Sequence, residues 1–346
     1  MDLAQIARSF PACGGGELQF TPITDGLINA TYLVEAPAAG RRFILQKINT
    51  SIFKNAAAVA RNHQLVNAIL GATAYPRKRV RQLPTAAGTP LLLDGTQAAW
   101  RVLEFVEGAT TIHKADRPAV ALEAAKTLSE FLFYLNQHPG AEPEEVLPGF
   151  LDFGKRMRDY QATLATVPPD RRQPAAAEID FVNQRLALPA RWLAWQEQGL
   201  LPRRIIHGDP KISNVLFDKA GRGLCVIDLD TVTASTLLYD FGDMARSYTN
   251  KTTEDDARLA RVFDAELYRA VKEGFAFHLK TILTPIEADN LDYAAQTVIF
   301  MQAVRFLTDY LNGDVYYATR YAGQNLDRTK NQLCLLRGLE AYTGAR

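Results

Sequence analysis

The sequence predicts an α+β fold in two lobes: a small β-rich N-terminal lobe with one helix, then a large, mainly helical C-terminal lobe. Three observations lead there. Patterns favouring short strands fill the chain up to residue 103, and helical periodicity takes over beyond residue 108. Between the later helices, two apolar runs, Val215–Phe217 and Leu224–Ile227, flank Asp218-Lys219-Ala220-Gly221-Arg222-Gly223 and read as a hairpin. The chain divides accordingly into residues 1–103, a hinge at 104–108 and residues 109–346.

In chain order, strands are expected at Glu17–Phe20, Asn29–Glu35, Arg41–Ile48 and Ala99–Leu103, with a further candidate at Pro90–Leu93. Pro37-Ala38-Ala39-Gly40 supplies a turn between the second and third. One helix, Lys54 to Leu70, interrupts them and is expected to stop at Gly71. The stretch WRVLEFVEG, Trp100–Gly108, passes from apolar strand to a polar, Gly-ended connection. After it, Leu122, Ala125, Leu128, Leu132 and Leu135 form a helical stripe. Further helices are expected at Asp152–Leu164, Ala175–Gln198, Thr253–Phe275 and Glu287–Leu311, with Trp192 and Trp195 in the core.

Bulk properties narrow the function classes. A chain of 346 residues, 47% hydrophobic and 22% charged, can bury a substantial core. Its 39 basic and 38 acidic residues give a formal charge of +1, which argues against dominant attraction to nucleic acid or membrane. The three cysteines, Cys13, Cys225 and Cys334, show no metal-ligand spacing and suit a reducing cytosol, Cys225 as a core residue. The opening MDLAQIARSFPACGGG lacks a basic start followed by a sustained apolar stretch, and no apolar run could span a bilayer. A cytoplasmic protein without signal peptide, most simply a monomer, is the expectation.

The chemistry concentrates at the mouth of the hairpin, where Asp209 and Asn214 before it become neighbours of Asp228 after it. A carboxylate, an amide five residues on and a second carboxylate past the returning strand suit phosphoryl transfer. One group would orient an attacking hydroxyl, and two would offer hard oxygen ligands to magnesium.

His207-Gly208-Asp209-Pro210-Lys211-Ile212-Ser213-Asn214 has the H-x-D-x-x-x-x-N spacing of a kinase catalytic loop. Gly after the His resembles the aminoglycoside phosphotransferase and choline kinase branch, since protein kinases carry Arg there. GLINATYLV (Gly26–Val34), FILQKIN (Phe43–Asn49), VIDLDTV (Val226–Val232), LYDFGD (Leu238–Asp243) and RFLTDYLNGDVYY (Arg305–Tyr317) extend the likeness to the bacterial N-acetylhexosamine 1-kinases, in consistent order over nearly the whole chain. The resemblance implies a bilobal protein-kinase-like fold, ATP and Mg²⁺ as cofactors, and a small-molecule sugar as partner.

The resemblance also implies roles. Asp209 would be the base that meets the sugar hydroxyl, Lys211 would meet the γ-phosphate, and Asn214 and Asp228 would hold magnesium. Asp25 and Gly26 would cover the phosphates, and backbone groups of Glu104, Phe105 and Val106 would recognise adenine. Lys47 shares a strand face with Phe43 and Leu45, so it either snorkels to water or enters the cleft; the kinase frame favours the cleft. No Glu or Asp occurs from Ala36 to Leu93 to pair with it, leaving Asn62 or His63 as neutral candidates. Asp230 would be a metal ligand or substrate contact, and Arg305, Asp309 and Tyr316 would touch the sugar. His207 is read as structural. Asp240-Phe241-Gly242 spells the protein kinase metal motif but lies 26 residues after Asn214, too far for that role, so Asp240 is read as a brace for the loop.

The leading expectation is transfer of the ATP γ-phosphate to the anomeric hydroxyl of N-acetylglucosamine or N-acetylgalactosamine. The alternatives are a kinase of another small alcohol (an aminoglycoside, choline or an amino alcohol) and a non-catalytic nucleotide-binding protein.

Overall fold

The computed structural model describes residues 1–24, 28–137, 140, 142–256 and 262–344. The N-terminal lobe opens with a helix that sequence reasoning missed, α1 (Leu3–Arg8), closed by a capping box between Asp2 and Gln5. It continues through β1 (Gln19–Ile23), β2 (Ala30–Ala36), β3 (Arg41–Lys47), α2 (Ala56–Ala72), β4 (Gln82–Leu83), β5 (Leu92–Leu93) and β6 (Ala99–Glu104). The strands form one antiparallel sheet in the order β1-β2-β3-β6-β4, with β5 also paired to β6.

Strand alternation gives this sheet two unlike faces. Val34, Phe43, Leu45, Trp100 and Val102 pack against Ile6 and Phe10 of the N-terminal segment. On the opposite face, Ile44 and Leu103 meet Val80 and the side chains Leu216, Cys225 and Ile227 of the second lobe. The second face is therefore the one turned to the cleft. Helix α2 runs past Gly71 to Ala72. A Cβ at Gly71 would lie 2.5 Å from Nη1 of Arg79, so this glycine serves a close approach and not a helix end.

The C-terminal lobe contains β7 (Thr110–Thr111), α3 (Pro118–Leu135), α4 (Phe153–Thr166), α5 (Pro169–Arg172), α6 (Ala176–Asn183), α7 (Ala187–Glu197) and β8 (Arg204–Ile206). It continues with β9 (Val215–Phe217), β10 (Gly223–Val226), β11 (Thr233–Ser235), α8 (Leu237–Tyr248), α9 (Ala265–Leu279), α10 (Pro285–Asp289), α11 (Leu291–Leu311) and α12 (Gln324–Thr343). β9 and β10 make the expected hairpin, with β7 added to its edge, and β8 pairs with β11. Helix α11 runs through the core and packs on α8, α4 and α12. A Cβ at Gly242 of α8 would lie 2.8 Å from the Ala294 carbonyl, so glycine lets these two helices touch.

Three expected helices change. The segment 175–198 is two helices, and α7 carries Pro189 in its first turn, where a missing N–H costs nothing. Of the segment 253–275, residues 257–261 lie outside the described residues, and a helix starts at Ala265, where Asp264 caps the N–H groups of Glu266 and Leu267. At 287–311, a Thr284–Glu287 capping box closes α10 as a separate turn before α11. Among the described residues no helix is long and apolar enough to cross a membrane.

Candidate active site

The loop after β8 is tied down through its backbone. Asp240, in the first turn of α8, accepts the N–H groups of His207 (2.7 Å) and Gly208 (2.9 Å). Buried His207 pairs through Nε2 with the Ile227 carbonyl at 3.0 Å, and the Thr231 hydroxyl donates to the His207 carbonyl at 2.9 Å. Gly208 has φ +80°, and a Cβ there would lie 2.5 Å from the Thr231 carbonyl, so a side chain at this position is excluded twice over. Burial pushes the Asp240 carboxyl up to about 6, against the two N–H donors and His207.

This bracing delivers Asp209, whose carboxylate accepts from Lys211 Nζ at 2.8 Å. Burial alone would raise its carboxyl, but Lys211, with help from His207 and Arg246, holds it below its ordinary value. Burial disfavours the Lys211 ammonium, yet Asp209 and Asp228 more than offset this and raise it. Asn214 donates its amide to the Asp209 carbonyl at 2.8 Å and approaches the carboxylate at 3.5 Å. Its backbone carbonyl receives Ile227 N–H at 2.9 Å, which closes the mouth of the hairpin beside Asp228.

Asp228 follows β10 in a left-handed conformation, φ 62° and ψ 60°. For a residue other than glycine this costs roughly 1–2 kcal/mol. Among the described residues no hydrogen bond or ion pair engages its carboxylate, which stays open to the cleft between protein walls. Those walls, with Asp230 and Asp209 nearby, push it up to about 6, against Lys211 and Arg101. An unpaired carboxylate and the unshared amide oxygen of Asn214 are hard donors, so the pair suits magnesium, which takes one or two protein oxygens plus phosphates and water. Among the described residues there is no cluster of three His, Cys, Asp or Glu side chains that could hold a metal by themselves.

Above the hairpin, Ile44, Val106, Leu216 and Ile227, all partly buried, pack with Leu103 into an apolar cluster between the lobes. Glu104 is the last residue of β6; its N–H goes to the Arg81 carbonyl and its carboxylate to the Arg81 guanidinium. Phe105 lies under the Arg42 guanidinium at 4.4 Å, and Val106 is the hinge side chain that packs against this cluster. Asp25 and Gly26 lie outside the described residues.

Lys47 does not enter the cleft. It shares the Phe43–Leu45 face, which packs toward α1, and lies exposed with Nζ 5.8 Å from the Trp100 ring. Neither neutral candidate attends it: Asn62 binds backbone at Glu144 and Val232, and His63 donates to the Val80 carbonyl. The cation on the cleft face is Arg101, opposite Gln46 in the β3–β6 register. Arg101 donates to Gln46 Oε1 at 2.9 Å and lies 2.6 Å from Asp230 Oδ1, with both charged side chains 2% exposed. Asn29 donates to the other Asp230 oxygen at 2.7 Å. Asp230, expected as a metal ligand or substrate contact, thus faces Arg101 and Asn29 of the N-terminal lobe. An arginine inside the apolar run AWRVLE, two positions from Leu103, was the signal in the sequence for this cation.

The expected sugar contacts separate. Buried Asp309 accepts the backbone N–H groups of Val315, Tyr316 and Tyr317 at 2.7–3.0 Å and the Asn325 amide, so it braces a turn. Arg305 donates to Gln302 at 2.9 Å and spreads over the rings of Phe150 and Tyr317. Tyr316 is largely exposed. Arg246 of α8 enters the same charged neighbourhood: it bonds Asp243 at 2.6 Å and pairs with Glu254, and its charge reaches Asp209 and Arg305. Beyond Thr231 a cavity of about 380 Å³ opens between β11 and the 142–152 segment, lined among others by Glu145, Phe150, Asp152 and Thr233.

A kinase-type catalytic loop, a hairpin-borne carboxylate and an interlobe apolar cluster now stand together, and residues 19–274 match the model of the phosphotransferase enzyme family. The chain belongs to that family. Among solved structures it resembles an aminoglycoside phosphotransferase from Alicyclobacillus acidocaldarius at 15% identity, covering 98% of this chain and 96% of that one, with TM-score 0.65. A microcompartment-associated aminopropanol kinase is similar at 14% identity and TM-score 0.64, covering 99% and 97% of the two chains. A choline/ethanolamine kinase family protein from Mesorhizobium loti matches at 15% identity, TM-score 0.57, covering 99% and 95%. These likenesses establish the protein-kinase-like fold.

Proposed function

We propose that this phosphotransferase moves the γ-phosphoryl group of ATP to the anomeric hydroxyl of an N-acetylhexosamine. The observation that carries phosphoryl transfer to an alcohol is Asp209, an ionised carboxylate held by Lys211 next to Asn214 and the unpaired Asp228. Asp209 aligns the hydroxyl and accepts its proton as the new bond to phosphorus forms. Lys211 is close enough to Asp209 to bring a positive charge to the transferred group. The partly buried apolar side chains of Ile44, Val106, Leu216 and Ile227 between the lobes are the surface on which this reading places the adenine ring.

Asn214 and Asp228 are the residues that would hold magnesium. Magnesium bound there with the nucleotide supplies charge neutralisation of the phosphates.

The sugar assignment rests on the sequence likeness to N-acetylhexosamine 1-kinases, supported by Arg246, whose charge reaches Asp209, and Arg305 within reach of Arg246, side chains whose N–H groups suit hydroxyl and acetamido oxygens. One observation favours a cationic amino alcohol instead: Glu142, Glu145 and Asp152 line the cavity beyond Thr231 against the single cation Arg203. Incubation with ATP, Mg²⁺ and each acceptor class, followed by phosphorus NMR, decides between them. An anomeric phosphate is expected from N-acetylglucosamine or N-acetylgalactosamine. Phosphate ester from amino alcohols alone would replace this reading with the second.

A further inference from the structure

The metal-bearing turn of the C-terminal lobe is gripped from the N-terminal lobe. Asp228 is strained, and among the described residues its carboxylate has no protein partner that would fix it. Two residues on, Asp230 is met on both oxygens from the N-terminal lobe: Arg101 of β6 as an ion pair with Oδ1 at 2.6 Å, and Asn29, before β2, as a hydrogen-bond donor to Oδ2 at 2.7 Å. Helix α2 packs on the same turn, and Asn62 reaches the Val232 carbonyl at 3.2 Å. Arg101 is itself oriented by Gln46, whose amide donates to the Thr31 hydroxyl at 3.1 Å. Strained backbone persists only where its surroundings over-determine it, and here they come from both lobes: His207 and Asn214 hold Ile227 from within the C-terminal lobe, while Arg101, Asn29 and Asn62 reach the turn from the other.

We propose that Arg101 is a positioning residue for magnesium: its pair with Asp230, completed by Asn29, is an interlobe clasp that sets the Asp228 carboxylate for metal binding. This rests on the phosphotransferase reading and adds how its metal site is assembled. The side chain of Arg101 is 2% exposed, so it acts through Asp230 and not on the triphosphate. The clasp closes only when the sheet sits over the hairpin, so metal ligation depends on lobe closure. Partners of this kind, one step removed from a metal, typically change its affinity or the activity by roughly 10–100-fold.

The test uses the full chain and Mn²⁺ with ADP, followed by electron paramagnetic resonance of free Mn²⁺ so that no turnover is required. Arg101→Gln alone strands a buried charge and lowers the melting temperature. The double variant Arg101→Gln/Asp230→Asn removes both charges and is expected to recover most of that loss. It should still bind Mn²⁺ in the ADP complex about tenfold or more weakly, while ADP affinity without metal is unchanged. Asn29→Ala, at a half-buried surface position, should weaken Mn²⁺ by a smaller factor, and it decides the matter alone should the double variant fail to fold. Wild-type Mn²⁺ affinity in whichever variants fold would overturn the clasp. Failure to phosphorylate any N-acetylhexosamine would leave it standing, because metal binding is read directly.

Discussion

The two walls of the cleft are held by different means. On the C-terminal side, Asp209 stands on a loop fastened through backbone groups: Asp240 takes two N–H donors, Thr231 takes a carbonyl, and Gly208 leaves room for both. On the N-terminal side the grip is made by side chains alone, Arg101 and Asn29 on Asp230, across the gap between the lobes. The first wall is complete within one lobe; the second exists only when both are together. The carboxylates follow the same division. Asp209 lies below its ordinary value beside Lys211, whereas Asp228, at the junction of the walls, is pushed up to about 6. Environments that separate two neighbouring acids suit them to different roles, which in the proposed reaction are proton acceptor for Asp209 and metal ligand for Asp228.

The contrast breaks most visibly at the loop wall. Asp209→Asn should lower kcat by about 10²–10⁴-fold and spare metal-free ADP binding, checked by steady-state rates and calorimetry. An undiminished rate would remove Asp209 from the chemistry.

The opposite wall should show in stability. His63 donates to Val80 at 2.8 Å, and burial beside Arg101 lowers its imidazole from 6.5 to about 4. The unfolded chain therefore takes up a proton below pH 6.5 that the folded chain refuses until about pH 4, so this contribution falls as pH falls through that window. The loss reaches about 3 kcal/mol and should be absent in His63→Asn. Asp240, raised to about 6, acts with the opposite sign, so urea titrations must compare variant with wild type at each pH.

Lys211→Met sharpens the account of the loop. Without the ammonium, burial leaves the Asp209 carboxyl above its usual range, so the acid limb of kcat/KM should move to higher pH. A charge-assisted hydrogen bond is worth about 1.5–3 kcal/mol, which sets a loss of roughly ten- to a hundred-fold in rate. Lys47→Ala should do least. An exposed lysine over Trp100 predicts kcat and KM for ATP within about twofold of wild type; a large rise in KM would return Lys47 to the phosphates.

The loop wall was legible in the sequence because its chemistry is local. Asp209, Lys211 and Asn214 lie within six residues, and Asp228 is carried to them by one short hairpin. The sheet wall was not. Placing Lys47 required knowing which face of β3 meets α1, and that helix, only six residues long, left no periodic signal. Arg101 and Asp230 are 129 positions apart, and nothing in either segment announces the other. The two-lobe division was readable from strand and helix patterns, but helix boundaries were set by capping residues, Asp264 and Thr284, that lie inside runs of otherwise helical composition. Asp309 reads as a ready sugar ligand until its oxygens are counted against the N–H groups of the following turn.

That turn has a further bearing. One carboxylate at the end of α11 fixes the main chain of 315–317 whatever those residues carry, while Val315 is 76% and Tyr316 62% exposed. Shape and side-chain identity are uncoupled there, so substitution can change what this exposed turn presents while its main chain stays put.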